Sequence, residues 1–199
     1  MSFDPTILVM SCRGNSRLND FLELCSLNKC LRALIKLTIS LNEIHSKGVM
    51  HGDLKMDNVM IQNEHDPRNF TVNIIDFGLA ESLGANRRIY RKRSCHYPPE
   101  SHYPGKASSS FDVYSLGDII HHTCEMLAYI GCPEDLISLA QLMKKDEEKQ
   151  RPNLTFVIKS LSKILEDNMT DGEDSGESLI QWIARWVSKM KVQGMKFLG

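Results

Sequence analysis

The chain has 199 residues, 42% hydrophobic and 25% charged, and a formal net charge of −1. That length holds one globular domain with a real core, or one domain plus an appendage. The near-zero charge excludes a polyelectrolyte surface, so no nucleic-acid partner is expected.

The six cysteines (Cys12, Cys25, Cys30, Cys95, Cys124 and Cys132) show no CxxC and no zinc-ligand spacing. Cys25 and Cys30 are expected as core thiols rather than a bridge. The N-terminal MSFDPTILVMSC carries an early Asp and Pro and no basic n-region, unlike a signal peptide. No apolar run reaches the length of a membrane span. These features predict a reducing compartment, cytoplasmic or nuclear.

In chain order, residues 6–10 (TILVM) read as a strand entering a turn at Ser11 and Gly14. A short helix is predicted at 19–24. Residues 28–45 carry Leu31, Leu34, Ile35, Thr38, Leu41 and Ile44 at helical spacing, and Lys47-Gly48 ends that helix. Short extended pieces follow at 49–50 and 59–61, then β-rich 70–75 leading into Asp76-Phe77-Gly78. Residues 79–109 read as irregular. A long, mostly apolar helix is predicted over 110–130, buried at the domain centre because Leu116, Ile119, Ile120, Thr123, Met126 and Leu127 cover more than one face. Gly131 closes it and Pro133 opens the next, at 135–144, with a last domain helix at 154–165. Residues 166–177 hold six acids and read as a flexible linker; 178–199 hold four basic residues and no acid, with Leu179, Trp182, Ile183, Trp186, Val187 and Met190 on one stripe. The expected organisation is a domain at 1–166, an acidic linker at 167–177 and a basic amphipathic tail helix at 178–199.

The chemistry lies in HGDLKMDN, residues 51–58, and IIDFG, residues 74–78. Phosphoryl transfer needs a carboxylate to orient or deprotonate the attacking hydroxyl, a metal on the phosphates, and a cation against the developing charge. Asp53 supplies the base type, Lys55 the cation, and Asn58 with Asp76 the hard oxygen donors that suit Mg²⁺. The adjacent His121 and His122 point to different helix faces, so a metal shared by the two is not expected.

HGDLKMDN resembles the catalytic loop of the protein-kinase family, and NIIDFGL its metal-binding segment. Aminoglycoside-type phosphotransferases share a similar loop, so the pair alone does not decide. HYPPES, with Glu100, resembles the kinase Pro-Glu motif. FDVYSLG, with Asp112 as its anchor, resembles the start of the central kinase helix, and QRP places Arg151 where the family pairs an Arg with that Glu. ILVMSCRGNSRLNDFL resembles the last N-lobe strand, hinge and following helix, which puts Met10 near the gatekeeper and Cys12 in the hinge. The resemblance covers about residues 6–166. It implies an α+β, mainly α-helical fold: a kinase-like C-lobe with short β hairpins at the cleft, plus the C-terminal amphipathic helix. It also implies ATP and Mg²⁺ as cofactors, a Ser/Thr-type loop because Lys55 follows Asp53 by two, Met60 beneath the adenine, and His51 packed structurally beneath Phe77.

Four departures shape the expectation. The 199 residues hold no Gly-rich phosphate loop and no strand lysine of the family, which argues against ATP binding and activity by this chain alone. Gly52 replaces the Arg that reads a phosphorylated activation loop, so that phosphorylation is not expected to be the switch. Residues 76–100 are short and basic through Arg87, Arg88, Arg91, Lys92 and Arg93, either a solvated loop or a docking surface for acidic groups. The substrate-docking helix after the central helix is missing or shrunken. Two functions follow. One is a protein Ser/Thr kinase acting on a protein hydroxyl; the alternative is an inactive half-kinase that binds and regulates a partner kinase. The tail has four options: an anionic membrane, a calmodulin-like partner, the cleft of its own chain, or ordinary packing on the domain.

Overall fold

One apolar stripe sets the longest helix among the described residues. The computed structural model describes residues 14–66, 70–129 and 131–169. In it a short α1 (Leu18–Glu23) precedes α2 (Leu27–Ser46), where Leu31, Leu34, Ile35, Thr38, Leu41 and His45 are buried at helical spacing. Thr38 satisfies its buried hydroxyl by donating to the Leu34 carbonyl at 2.7 Å. Gly48, at φ +76°, turns the chain out of the helix.

The central helix α3 (Ser109–Leu127) buries residues on several faces, Phe111, Leu116, Ile119, Ile120 and Cys124 among them. The Ser108 side chain caps it by accepting from the Ser110 N–H at 3.3 Å. It ends three residues before the expected Ile130. Helix α4 (Glu134–Met143) starts directly after it, with Glu134 and Asp135 at its positive end. Helix α5 (Leu154–Asp167) is capped by Asn153, which accepts from the Phe156 N–H at 2.8 Å. It runs two residues beyond the expected 165 and one past the expected domain boundary.

Only residues 128–133 join α3 to α4, and the two helices pack closely. A Cβ on Gly117 of α3 would lie 2.7 Å from the Met143 Cβ of α4. Gly117→Ala is therefore expected to destabilise the fold by about 1–3 kcal/mol through overpacking, despite the better helix propensity of Ala. The urea midpoint measures it; an unchanged or raised midpoint contradicts the packing argument.

The strands among the described residues are short, two to four residues each. In an antiparallel sheet of order β1 (Ser16–Arg17), β3 (Val59–Gln62), β4 (Thr71–Ile74), Ser16 faces Ile61 and Val59 faces Ile74. Its inner face, Val59, Ile61 and Val72, packs onto the main core with α2. Gly14 allows the backbone before β1 to approach, since a Cβ there would meet the Ile61 carbonyl oxygen at 2.5 Å.

Residues 79–109 are not wholly irregular. β2 (Val49–Met50) pairs with β5 (Glu81–Ser82), and β6 (Asn86–Arg87) with β7 (Gly105–Lys106). Arg87 is buried and organises this segment. Its guanidinium donates to the carbonyls of Glu100, Tyr103 and Lys106 and lies 5.4 Å from the Phe111 ring centre. This removes Arg87 from the expected docking surface. Arg88 pairs with Glu81 at 2.9 Å, while Arg91, Lys92 and Arg93 are exposed. A second apolar cluster of Met50, Tyr90, Ala107 and Phe111, with Leu79, Leu83 and Tyr97 against it, carries the segment.

Cys25, Cys30, Cys95, Cys124 and Cys132 are free thiols, and burial pushes Cys30 up to about 12. Among the described residues no helix is long and apolar enough to cross a membrane. The expected strand at 6–10, Met10, Cys12 and the tail helix lie outside the described residues, as does all but the start of the acidic linker.

Candidate active site

The loop at 51–58 leaves β2 and is held from below by Asp112, in the first turn of α3. Asp112 is fully buried. Its Oδ2 accepts the His51 N–H at 2.7 Å and meets His45 Nε2 at 2.8 Å; its Oδ1 accepts the Gly52 N–H at 2.9 Å. One carboxylate thus satisfies two loop amides that have no helical or ladder partner. Gly52 has φ +79°, and a Cβ there would lie 2.6 Å from the Leu79 carbonyl oxygen and 2.8 Å from the Tyr90 hydroxyl. Only glycine fits. The Tyr90 hydroxyl donates to the Gly52 carbonyl at 2.8 Å, and burial raises its pKa well above the usual phenol value. A tyrosine from the later segment therefore occupies the space beside Gly52.

Four donors converge on Asp53, which is 7% exposed. Its Oδ1 accepts from the Tyr97 hydroxyl at 2.6 Å and lies 3.1 Å from His96 Nε2. Its Oδ2 accepts from Lys55 Nζ at 2.9 Å and Asn58 Nδ2 at 3.2 Å. Burial pushes this carboxyl up, but the hydrogen bonds from Tyr97, Lys55 and His96 outweigh it, and the pKa falls below the usual carboxylate range. Burial lowers the pKa of His96 against the pull of Asp53, which favours the neutral ring. Ser94 Oγ, 2.8 Å from its Nδ1, fits a tautomer that donates from Nε2 to Asp53. The cap is itself fixed: Ser115 of α3 donates to the His96 carbonyl at 2.6 Å, and Tyr97 packs on Tyr90 with ring centres 4.6 Å apart.

The remaining residues take defined places. Asn58 also donates to the Asp53 carbonyl at 2.8 Å, so its amide nitrogen is committed to Asp53 and its oxygen is the group left for a cation. Asp76 is exposed, sits at φ +64°, and accepts the Gly78 N–H at 3.2 Å. His51 lies edge-on to Phe77 with ring centres 5.0 Å apart, and its Nε2 meets the Ile75 carbonyl at 3.0 Å. Met60 is half-buried on β3. Below the loop, Arg151 forks onto Glu100 at 2.6 and 2.8 Å and also donates to the carbonyls of Ser110, Lys145 and Asp146. The segments carrying Asp53, Lys55, Asn58, Asp76 and Phe77 are joined by the Ile75 N–H donating to the Asn58 carbonyl at 2.9 Å. Sequence reasoning missed Tyr90, His96 and Tyr97. The only available signal was the position of His96 and Tyr97 inside HYPPES.

Asp53 has a consequence for acid stability. Its folded pKa lies below the unfolded value of about 3.9, so its stabilisation is present above that value and fades as the pH falls through the folded pKa. Tyr97→Phe removes one donor to the charged form. The stability gap between wild type and Tyr97→Phe should therefore narrow from pH 7 to pH 3. Urea midpoints measure it; a gap constant or widening toward acid contradicts the assignment.

The family model described as the protein kinase domain matches residues 2–189. The chain is 39% identical to the probable serine/threonine-protein kinase 2 of Plasmodium falciparum over 90 residues, 45% of this chain and 17% of that protein. It is 26% identical to the cattle serine/threonine-protein kinase 33 over 152 residues, 70% of this chain and 31% of that protein. It is 31% identical to the human tyrosine-protein kinase ZAP-70 over 124 residues, 57% and 19% of the two chains. The matches thus span less than a third of each of these relatives.

Proposed function

The chain belongs to the protein kinase domain family, and from that premise we propose that residues 51–78 form the floor of a site transferring phosphate from ATP to a Ser or Thr hydroxyl of a protein substrate. One observation carries this reading. Asp53 Oδ1 already receives a hydroxyl, that of Tyr97 at 2.6 Å, within the reach a general base needs. A substrate hydroxyl displacing the phenol meets the same oxygen. Asp53 then orients it and accepts its proton, and Lys55, 2.9 Å from Oδ2, sets a positive charge beside the transferring group.

Asn58 and Asp76 offer hard oxygen donors, with the Asn58 nitrogen turned away to Asp53, and this donor set fits Mg²⁺. Bound there, Mg²⁺ supplies charge neutralisation on the ATP phosphates. Met60 on β3 is the residue for the adenine face, with Met10 and Cys12 in the segment before it. Asp112 positions the loop, the Glu100–Arg151 pair ties the segment after Pro98 to the start of α3 and to residues 145–146, and His51 packs against Phe77, next to Asp76.

A second reading is a binding module that regulates a partner kinase without transferring phosphate. The cap favours it, because both donors on Asp53 Oδ1 come from the chain itself. Incubation of the 199-residue chain with Mg·ATP and mixed protein acceptors separates the two. Phosphate incorporation that depends on Asp53 supports the first reading. No incorporation, together with inhibition of an added active kinase, supports the second and overturns the first.

A further inference from the structure

We infer that Cys95, Asp118 and His122 form a binding site for a thiophilic divalent cation of the zinc class. Their ligand atoms, one sulfur, one carboxylate oxygen and one imidazole nitrogen, lie within 4.8 Å of one another. Asp118 and His122 stand one turn apart on α3 and face the same way, while Cys95 comes from the loop beside it. A tetrahedral zinc-type site with bonds of about 2.0–2.3 Å needs these atoms to close by only about 1 Å.

The surroundings are those of a ligand set rather than a chance cluster. His122 Nδ1 lies 2.8 Å from Glu125 Oε2, the carboxylate partner that fixes the tautomer and leaves Nε2 as the metal-binding atom. That Nε2 lies 3.8 Å from Asp118 Oδ2. Asp118 Oδ1 is held by Lys144, so the opposite oxygen is the one offered to the cation. Glu125 also receives His121, at 3.6 Å. Cys95 is exposed, which leaves a fourth position for water. Binding converts the Cys95 thiol to a thiolate, and its proton leaves to solvent.

The position gives the site a consequence. Cys95 adjoins His96 and Tyr97, the residues on Asp53, and the loop is tied to α3 through Ser115. An ion at Cys95 adds a second tie between loop and helix and holds the cap closed. That consequence rests on the phosphoryl-transfer reading; the site does not.

Cobalt titration of the reduced, chelator-free 199-residue protein tests the site. One equivalent of Co²⁺ should give a thiolate charge-transfer band that Zn²⁺ bleaches. Cys95→Ser should abolish the band, and His122→Ala should weaken binding by about tenfold or more. Cys124→Ser should leave the band intact, since Cys124 neighbours Cys132 and is not one of the three ligands. Both Cys95 and His122 are accessible, so their variants should retain the wild-type urea midpoint. Absence of the band in wild type, or its persistence in Cys95→Ser, overturns the proposal.

Discussion

Asp112→Ala is expected to lower the unfolding free energy by about 3–5 kcal/mol, the largest stability loss of any single change near the cleft. The substitution strands the amides of His51 and Gly52, accepted at 2.7 and 2.9 Å, and removes the partner of His45 at 2.8 Å. Each buried donor left unsatisfied costs about 1–3 kcal/mol. Asp112 is fully buried, so water has no access to replace the lost acceptor. Asp112→Asn keeps one acceptor oxygen and should lose about half as much. Urea unfolding followed by circular dichroism measures both, with unchanged slopes. A loss below about 1 kcal/mol for Asp112→Ala shows that the loop is held elsewhere.

Asp53→Asn is expected to reduce phosphate transfer by about 10²–10⁴-fold, the usual contribution of a positioned general base. The amide keeps one oxygen to receive Tyr97 and His96 but accepts no proton at neutral pH. It also turns an NH₂ group toward Lys55 and Asn58, both of which donate to this side chain. The loss should fall on kcat, since in the proposed mechanism Asp53 meets the reacting hydroxyl and not the nucleotide. Initial rates at saturating Mg·ATP measure it. A variant within threefold of wild type removes Asp53 from the reaction; that threshold is about 0.6 kcal/mol of barrier, too little for a base.

The helices were legible because burial imposes a period. The stripe Leu31, Leu34, Leu41 placed α2, and the amphipathic pattern from Leu154 placed α5. α3 was less well bounded, since apolar residues on every face give no stripe whose end marks the end of the helix. Residues 79–109 resisted reading for a different reason. Their strands are two residues long, and a side chain, Arg87, holds them through three carbonyls, which leaves no periodicity in the sequence. The five basic residues accordingly divide into a buried organiser, an ion pair with Glu81, and three exposed cations at 91–93.

In the candidate site, the local part was legible and the long-range part was not. Asp53, Lys55 and Asn58 lie within six residues, and their spacing already implied convergence. The cap was invisible because His96 and Tyr97 stand 43 and 44 residues beyond Asp53. His122 shows the same limit. Helix geometry set aside its neighbour His121 as a shared ligand but did not reveal the groups beside it, Asp118 one turn away and Cys95 from another segment. Gly52 was noticed as the loss of an arginine; its left-handed backbone and the Tyr90 hydroxyl at its side supply the physical reason.

The central claim is that Asp53 is a competent base whose proton-accepting oxygen is covered by His96 and Tyr97. Phosphate transfer from Mg·ATP by the His96→Ala, Tyr97→Phe double variant tests it most directly. With both donors gone, Asp53 Oδ1 is open to a substrate hydroxyl, and transfer should rise above wild type by about tenfold, equivalent to freeing about 1.4 kcal/mol of hydrogen bonding. Adding Asp53→Asn to the double variant should abolish the gain. Transfer that fails to rise in the double variant, or that rises and survives Asp53→Asn, contradicts the account.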